Sequence, residues 1–125
     1  MADQRADEHA HQVALFAWRD RVIRQHPELR MLYAVPNGGL RSPRTAARLK
    51  AEGVRAGVPD IALDVPRNGW HGLRIELKRP GRHSVTQAQR EWIESLREYG
   101  YRAEVAVGWD AARELIVDYL RPTQD

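Results

Sequence analysis

A chain of 125 residues, 42% hydrophobic and 30% charged, is close to the commonest size of one domain and apolar enough to fold. It has no cysteine, which excludes disulfides, thiolate catalysis, Cys-based zinc sites and iron–sulfur clusters. No apolar run approaches the roughly 18 residues of a membrane span, and MADQRADEHAHQ lacks a signal peptide's apolar stretch. A soluble cytoplasmic protein with no membrane partner is therefore expected. Net charge is +3, yet all but Lys50 and Lys78 of the 20 cationic residues are Arg. That bias fits a phosphate-bearing partner, because the guanidinium fork grips phosphate in two places; an Arg-rich codon usage explains it equally well.

In chain order, Val13, Phe16, Ala17, Val22 and Ile23 recur at helical spacing over residues 8–26, which His26-Pro27 ends. Residues 1–7 precede this helix and are expected to be flexible. MLYAV (31–35) reads as a short strand closed by the turn-rich PNGG at 36–39. Ser42 as cap and Pro43 at the first position open a second helix, which Gly53 stops. DIALDV (60–65) and GLRIELK (72–78) both alternate, with an Asn68-Gly69 turn between them, so they form a hairpin. Thr86 to Gly100 reads as a third helix, 101–107 as a strand, and Asp110 to Leu120 as a closing helix. No repeat or linker interrupts the order α-β-α-β-β-α-β-α, so one α/β domain over 1–125 is expected, a mixed sheet flanked by helices. Trp18, Trp92 and Tyr99 are expected in the core. Trp109 and Tyr119 either finish it or bury between two copies.

The hairpin carries the chemistry. Leu73, Ile75 and Leu77 share one face of their strand, and Arg74, Glu76 and Lys78 the other. On the partner strand Ile61, Leu63 and Val65 are apolar, opposed by Asp60, Ala62 and Asp64. A turn centred near residues 68–70 places Asp60 beside Lys78, Ala62 beside Glu76 and Asp64 beside Arg74. Asp60 and Glu76 are then diagonal neighbours within reach of one ion. Two carboxylates and a lysine so placed suit metal-assisted phosphodiester hydrolysis. The carboxylates hold a hard cation, and the ammonium orients water and offsets charge in the transition state. A solvated face of cross-strand ion pairs is the competing reading, and the favoured one for Asp64 with Arg74.

GVRAGVPDIALDV, then GLRIELKRP, then QREWIESLREYGY, with AVPNGGLRS and AARLKAEGVRAG upstream, resembles the VRR-NUC family of the PD-(D/E)xK nucleases. The likeness runs from about Glu8 to Leu120, and the upstream segments also resemble stand-alone phage and bacterial members, which look like Holliday-junction resolvases. It implies a restriction-endonuclease-like core and Mg²⁺- or Mn²⁺-dependent DNA cleavage. By resemblance Asp60 and Glu76 are metal ligands, joined by the backbone carbonyl of Leu77, and Lys78 positions the attacking water. Gln89, at the start of the following helix, is expected to reach the site. Glu8 matches the acidic residue of the first helix and is by the same resemblance a further metal ligand. Gln89 also stands three residues after Thr86, the spacing of a capping box, and Glu8 lies where a helix dipole favours any acid.

The expected DNA contact surface is the 36–58 segment. Asn37, Gly38 and Gly39 offer turn amides to a phosphate, and Arg41, Arg44, Arg48, Lys50 and Arg55 follow. The activity expected is a metal-dependent DNA endonuclease, selective for branched DNA such as a four-way junction or flap. A homodimer would supply two cuts on opposing strands of a symmetric junction. The alternatives are a non-catalytic DNA-binding module and a DNA-binding regulator built on the Arg-rich 41–55 segment.

Overall fold

The structure is a computed structural model that describes residues 7–36 and 42–122. Asp7 opens it by accepting the Ala10 N–H at 2.9 Å, which caps helix α1 (Glu8–Val22). The expected flexibility of residues 1–6 and the expected DNA contacts of Asn37, Gly38, Gly39 and Arg41 lie outside the described residues.

A 3₁₀ turn, Pro27–Met31, leads into β1 (Leu32–Ala34), shorter than the expected strand. Helix α2 (Pro43–Ala51) begins as its sequence dictates, with Ser42 Oγ accepting the Thr45 N–H at 3.2 Å and Pro43 in the first turn. β2 (Ile61–Leu63) and β3 (Leu73–Lys78) form the hairpin. Helix α3 (Gln87–Glu98), β4 (Arg102–Val107) and α4 (Trp109–Leu120) complete the chain. The sheet order is β1-β2-β3-β4, antiparallel at the first two pairs and parallel between β3 and β4. This is the expected α/β arrangement, a mixed sheet with flanking helices. Among the described residues no helix is long and apolar enough to cross a membrane.

The hairpin register differs from the expected one by two residues. Its turn closes between Arg67 and Trp70, with Asn68 at φ 50° and Gly69 at φ 87°, both left-handed as a type I′ turn requires. The path from Leu63 to Arg67 is one residue longer than that from Trp70 to Leu73, and it contains Pro66, which has no N–H for a ladder. Ile61 therefore pairs with Ile75 and Leu63 with Leu73. One further step brings Asp60 opposite Glu76, not Lys78. Because the displacement is even, every side chain keeps its predicted face. Asp64 still pairs with Arg74, at 3.0 Å, but along the diagonal.

The core lies on the face of Ile61, Leu63, Leu73, Ile75 and Leu77, against Leu15 of α1 and Ala112, Ile116 and Tyr119 of α4. Leu15, unread in the sequence pattern, is fully buried, whereas Val13 is 55% exposed. Tyr119 completes this core, donating its hydroxyl to the Val65 carbonyl at 2.6 Å, so it is not a dimer surface. Trp18 and Trp109 pack against the same cluster, and Trp92 is half-buried. Tyr99, expected inside, is 75% exposed as the residue that caps the C-terminal end of α3.

The opposite face is not solvated where Glu76 and Lys78 lie. A parallel β3–β4 pair needs a crossover connection, and here that connection is α3. Ile93 of α3 lines a groove with Val105, which shares a face with Glu76. Glu76 and Lys78 are the buried charged residues beneath, at 1% and 6% exposure.

Candidate active site

The site grows from the way Asp60 meets β3. Its backbone carbonyl accepts the Val35 N–H at 2.7 Å, continuing the β1–β2 ladder by one residue. Its side chain then turns to β3, where Oδ2 accepts the Leu77 N–H at 2.9 Å. A strand residue directs its N–H and carbonyl to the same edge, and successive residues alternate edges. Lys78 sends its carbonyl to the β4 side, accepting Gly108 N–H at 2.7 Å. The Leu77 carbonyl therefore points to the β2 side, beside the Asp60 carboxylate.

Gln89 joins the helix to the sheet. Thr86 Oγ1 accepts the Gln89 N–H at 3.1 Å while Gln89 Oε1 accepts the Thr86 N–H at 2.9 Å, a closed capping box. The same Oε1 also accepts from Lys78 Nζ at 3.0 Å, and Gln89 Nε2 donates to Glu76 Oε2 at 3.3 Å. Sequence spacing set the cap and the site against each other as readings of Gln89. One side chain serves both, because an amide has an acceptor with two lone pairs and a separate donor. Lys78 Nζ lies 3.6 Å from the same Glu76 oxygen.

The remaining oxygen of Glu76, Oε1, is a buried side-chain atom without a hydrogen-bond partner. Burial first, then the contact and charge of Asp60, push the Glu76 carboxyl up to about 9; Lys78 opposes this, and Glu8 adds a smaller push upward. A buried acceptor with no donor, beside a second carboxylate, is costly unless a cation or proton is shared there. The donors available are hard oxygens: the Asp60 and Glu76 carboxylates and the Leu77 carbonyl. That set fits Mg²⁺ or Mn²⁺, which bind through one or two carboxylates and leave positions for water and phosphate.

The family model of the VRR-NUC domain matches residues 6–110, which spans the first helix, the whole sheet and α3. This chain belongs to the VRR-NUC family. A solved structure described as a VRR_NUC domain protein is similar at 35% identity and a TM-score of 0.78, covering 92% of this chain and 88% of that one. No curated protein matches the chain. VRR-NUC membership makes this a domain of a nuclease family, whose substrate is DNA.

Of the residues singled out by sequence, Asp60, Glu76, Leu77, Lys78 and Gln89 meet in one place. Glu8 stands on the exposed first turn of α1; its charge reaches Glu76. No group of three or more His, Cys, Asp or Glu side chains among the described residues is gathered for a metal, so Glu8 is not brought in as a third carboxylate. Arg44 and Arg48 lie on α2, which buries no side chain; Arg48 pairs with Glu52 at 3.6 Å, and Arg55 donates to the Lys50 carbonyl at 3.5 Å. Gly57 escaped the sequence reading. With φ +90°, it abuts the α3 start so closely that a Cβ there would meet the Ala88 carbonyl carbon and oxygen at 2.6 Å. Its place in the GVPD run, two residues before Pro59 and three before Asp60, was the signal that could have found it.

Proposed function

We propose that this chain is a metal-dependent DNA endonuclease whose centre is Asp60, Glu76, Lys78 and Gln89. The observation that carries the reading is the unpartnered, buried Glu76 Oε1 beside Asp60. Glu76, buried, and Asp60, half-buried, make poor structural glue against one lysine, since their repulsion and desolvation outweigh one 3.6 Å ion pair. They make good ligands. When bound, a divalent cation supplies Lewis-acid polarisation of a phosphoryl oxygen.

The chain's own groups do the rest. Asp60 is held at one oxygen by the Leu77 N–H, so its carboxylate is fixed before any cation arrives. Gln89 Oε1 and the ion pair with Glu76 fix the Lys78 ammonium, leaving one of its three protons for water or a phosphate oxygen. A buried, preorganised ammonium offsets the negative charge that develops on the phosphorus centre during attack. Glu8, from α1, adds negative charge at the rim and serves as an outer ligand through water. The exposed Arg44 and Arg48 of α2, with Asn37, Gly38, Gly39, Arg41 and Arg55, bind the DNA backbone. The substrate is branched DNA and the working unit a homodimer, because one centre per chain cuts one strand and a symmetric junction needs two.

The test is incubation of the purified protein with four-way, flap, single-stranded and linear duplex DNA, with Mg²⁺, Mn²⁺ or chelator. Cleavage that needs the cation and prefers a branched substrate is the expected result. Binding without cleavage under every condition would overturn it and favour a DNA-binding module.

A further inference from the structure

The face that carries Glu76 and Lys78 continues past the catalytic residues toward the other end of the sheet. Register puts Val35, Asp60, Glu76 and Val105 in one cross-strand row, and Tyr33, Ala62, Arg74 and Ala103 in the next. On β4's side α3 covers this face. On β1's side Tyr33 is left 43% exposed, with Met31 at 42% beside it.

Tyr33 is held in place. Its hydroxyl donates to Asp64 Oδ2 at 2.9 Å, and Asp64 Oδ1 pairs with Arg74 at 3.0 Å. The Arg74 guanidinium lies 4.8 Å over the Tyr101 ring and also donates to the Leu73 carbonyl. Gly72 makes room for this stack, since a Cβ there would stand 3.3 Å from the Arg74 guanidinium and 3.4 Å from the Tyr101 ring. Asp64 and Arg74 neutralise each other, so the cluster does not attract phosphate as the α2 arginines do. What it presents is a fixed aromatic ring in a neutral frame, suited to a flat, weakly polar ligand.

We infer that Tyr33 is a stacking platform for an unpaired base of the DNA strand being cut, an inference that rests on the nuclease reading above. Strand spacing of about 4.8 Å and a rise of about 3.4 Å per residue put Tyr33 about 8 Å from Asp60 between Cα atoms. One row of the sheet is about 7 Å, roughly twice the stacked-base rise of about 3.4 Å. A strand that follows the sheet from the carboxylates therefore brings to Tyr33 a base about two nucleotides from the cleaved phosphate. Where that base is unpaired its face needs a partner, and an aromatic ring supplies one for any base. Unpaired nucleotides at a flap or branch point offer such a base; a continuous duplex does not. The platform thus gives a single copy of the chain a means of preferring branched DNA.

The experiment uses the full chain in chelator, with flap DNA carrying 2-aminopurine at the first unpaired nucleotides and a matched linear duplex. Wild type should quench the 2-aminopurine emission. Tyr33→Leu should abolish the quench and weaken flap binding about ten-fold, with duplex affinity and salt dependence unchanged. Tyr33→Trp should restore both, which a purely structural role would not allow. The platform is overturned if Tyr33→Leu quenches and binds like wild type, loses duplex and flap binding equally, or changes the sedimentation mass. A wild type that binds no DNA and cuts none, with or without Mg²⁺, sinks the nuclease reading and the platform together. Cleavage with an unquenched probe sinks the platform alone.

Discussion

Replacing Glu76 with Gln tests the centre through stability before any DNA is added. In the metal-free protein the Glu76 carboxyl is pushed from 4.5 to about 9, chiefly by burial and then by Asp60. Between these two values the folded chain binds one more proton than the unfolded chain. Unfolding therefore becomes easier as pH rises through this window, and the effect is absent below about pH 4.5. At pH 7 the unfolded carboxyl is ionised, and keeping its folded counterpart protonated costs about 3 kcal/mol, from 1.36 kcal/mol per pH unit. Glutamine has the same shape and no charge to lose. It keeps an acceptor for Gln89 Nε2 and turns an amide donor toward Asp60. Metal-free Glu76→Gln should then be more stable by about 3 kcal/mol at pH 7, a Tm rise of about 10 °C for a chain of this length. The gain should shrink to nothing near pH 4.5. Mg²⁺ or Mn²⁺ should raise the Tm of wild type but not of the variant, which should not cleave DNA. Thermal unfolding from pH 4.5 to 8.5, with cation or chelator, measures all of this. A variant no more stable than wild type at pH 7 and 8 in chelator would refute the reasoning.

Lys78→Met should lower the cleavage rate at least about a hundred-fold while metal-induced stabilisation persists, because an ammonium is no ligand; equal loss of both would make Lys78 merely structural. Gln89→Ala should cost about 1 kcal/mol of stability and also slow cleavage, whereas Thr86→Val should cost similar stability with little change in rate; matching rates would reduce Gln89 to a cap. Arg44→Ala with Arg48→Ala should weaken binding to every DNA and reduce the salt slope by up to about two phosphate contacts, read by anisotropy over a salt series. Gly57→Ala should lower both Tm and cleavage, since its Cβ would press on the Ala88 backbone and displace the α3 start that carries Gln89.

The sequence alone determined what depends on neighbours along the chain. Strand alternation assigned every hairpin residue from Asp60 to Lys78 to its face, and those assignments survive a register displaced by two. Local capping chemistry placed the starts of α2 and α3, through Ser42-Pro43 and Thr86 with Gln89. The VRR-NUC motif singled out Asp60, Glu76, Lys78 and Gln89 because each occupies a set place in a strand or helix start. Tertiary structure decided the rest. Alternation showed that Glu76 and Lys78 share a face but not that α3 lies over it, since a crossover is a relation between strands far apart in sequence. Burial of Glu76 and Lys78 beneath that helix is what turns a solvated ion-pair network into a centre with an unpartnered oxygen. The same long-range packing buried Leu15 and Tyr119, left Val13 and Tyr99 in water, and brought Tyr33 into the row beside the carboxylates. Hydrophobicity records what a side chain prefers; which side chains obtain it depends on where distant elements come to rest.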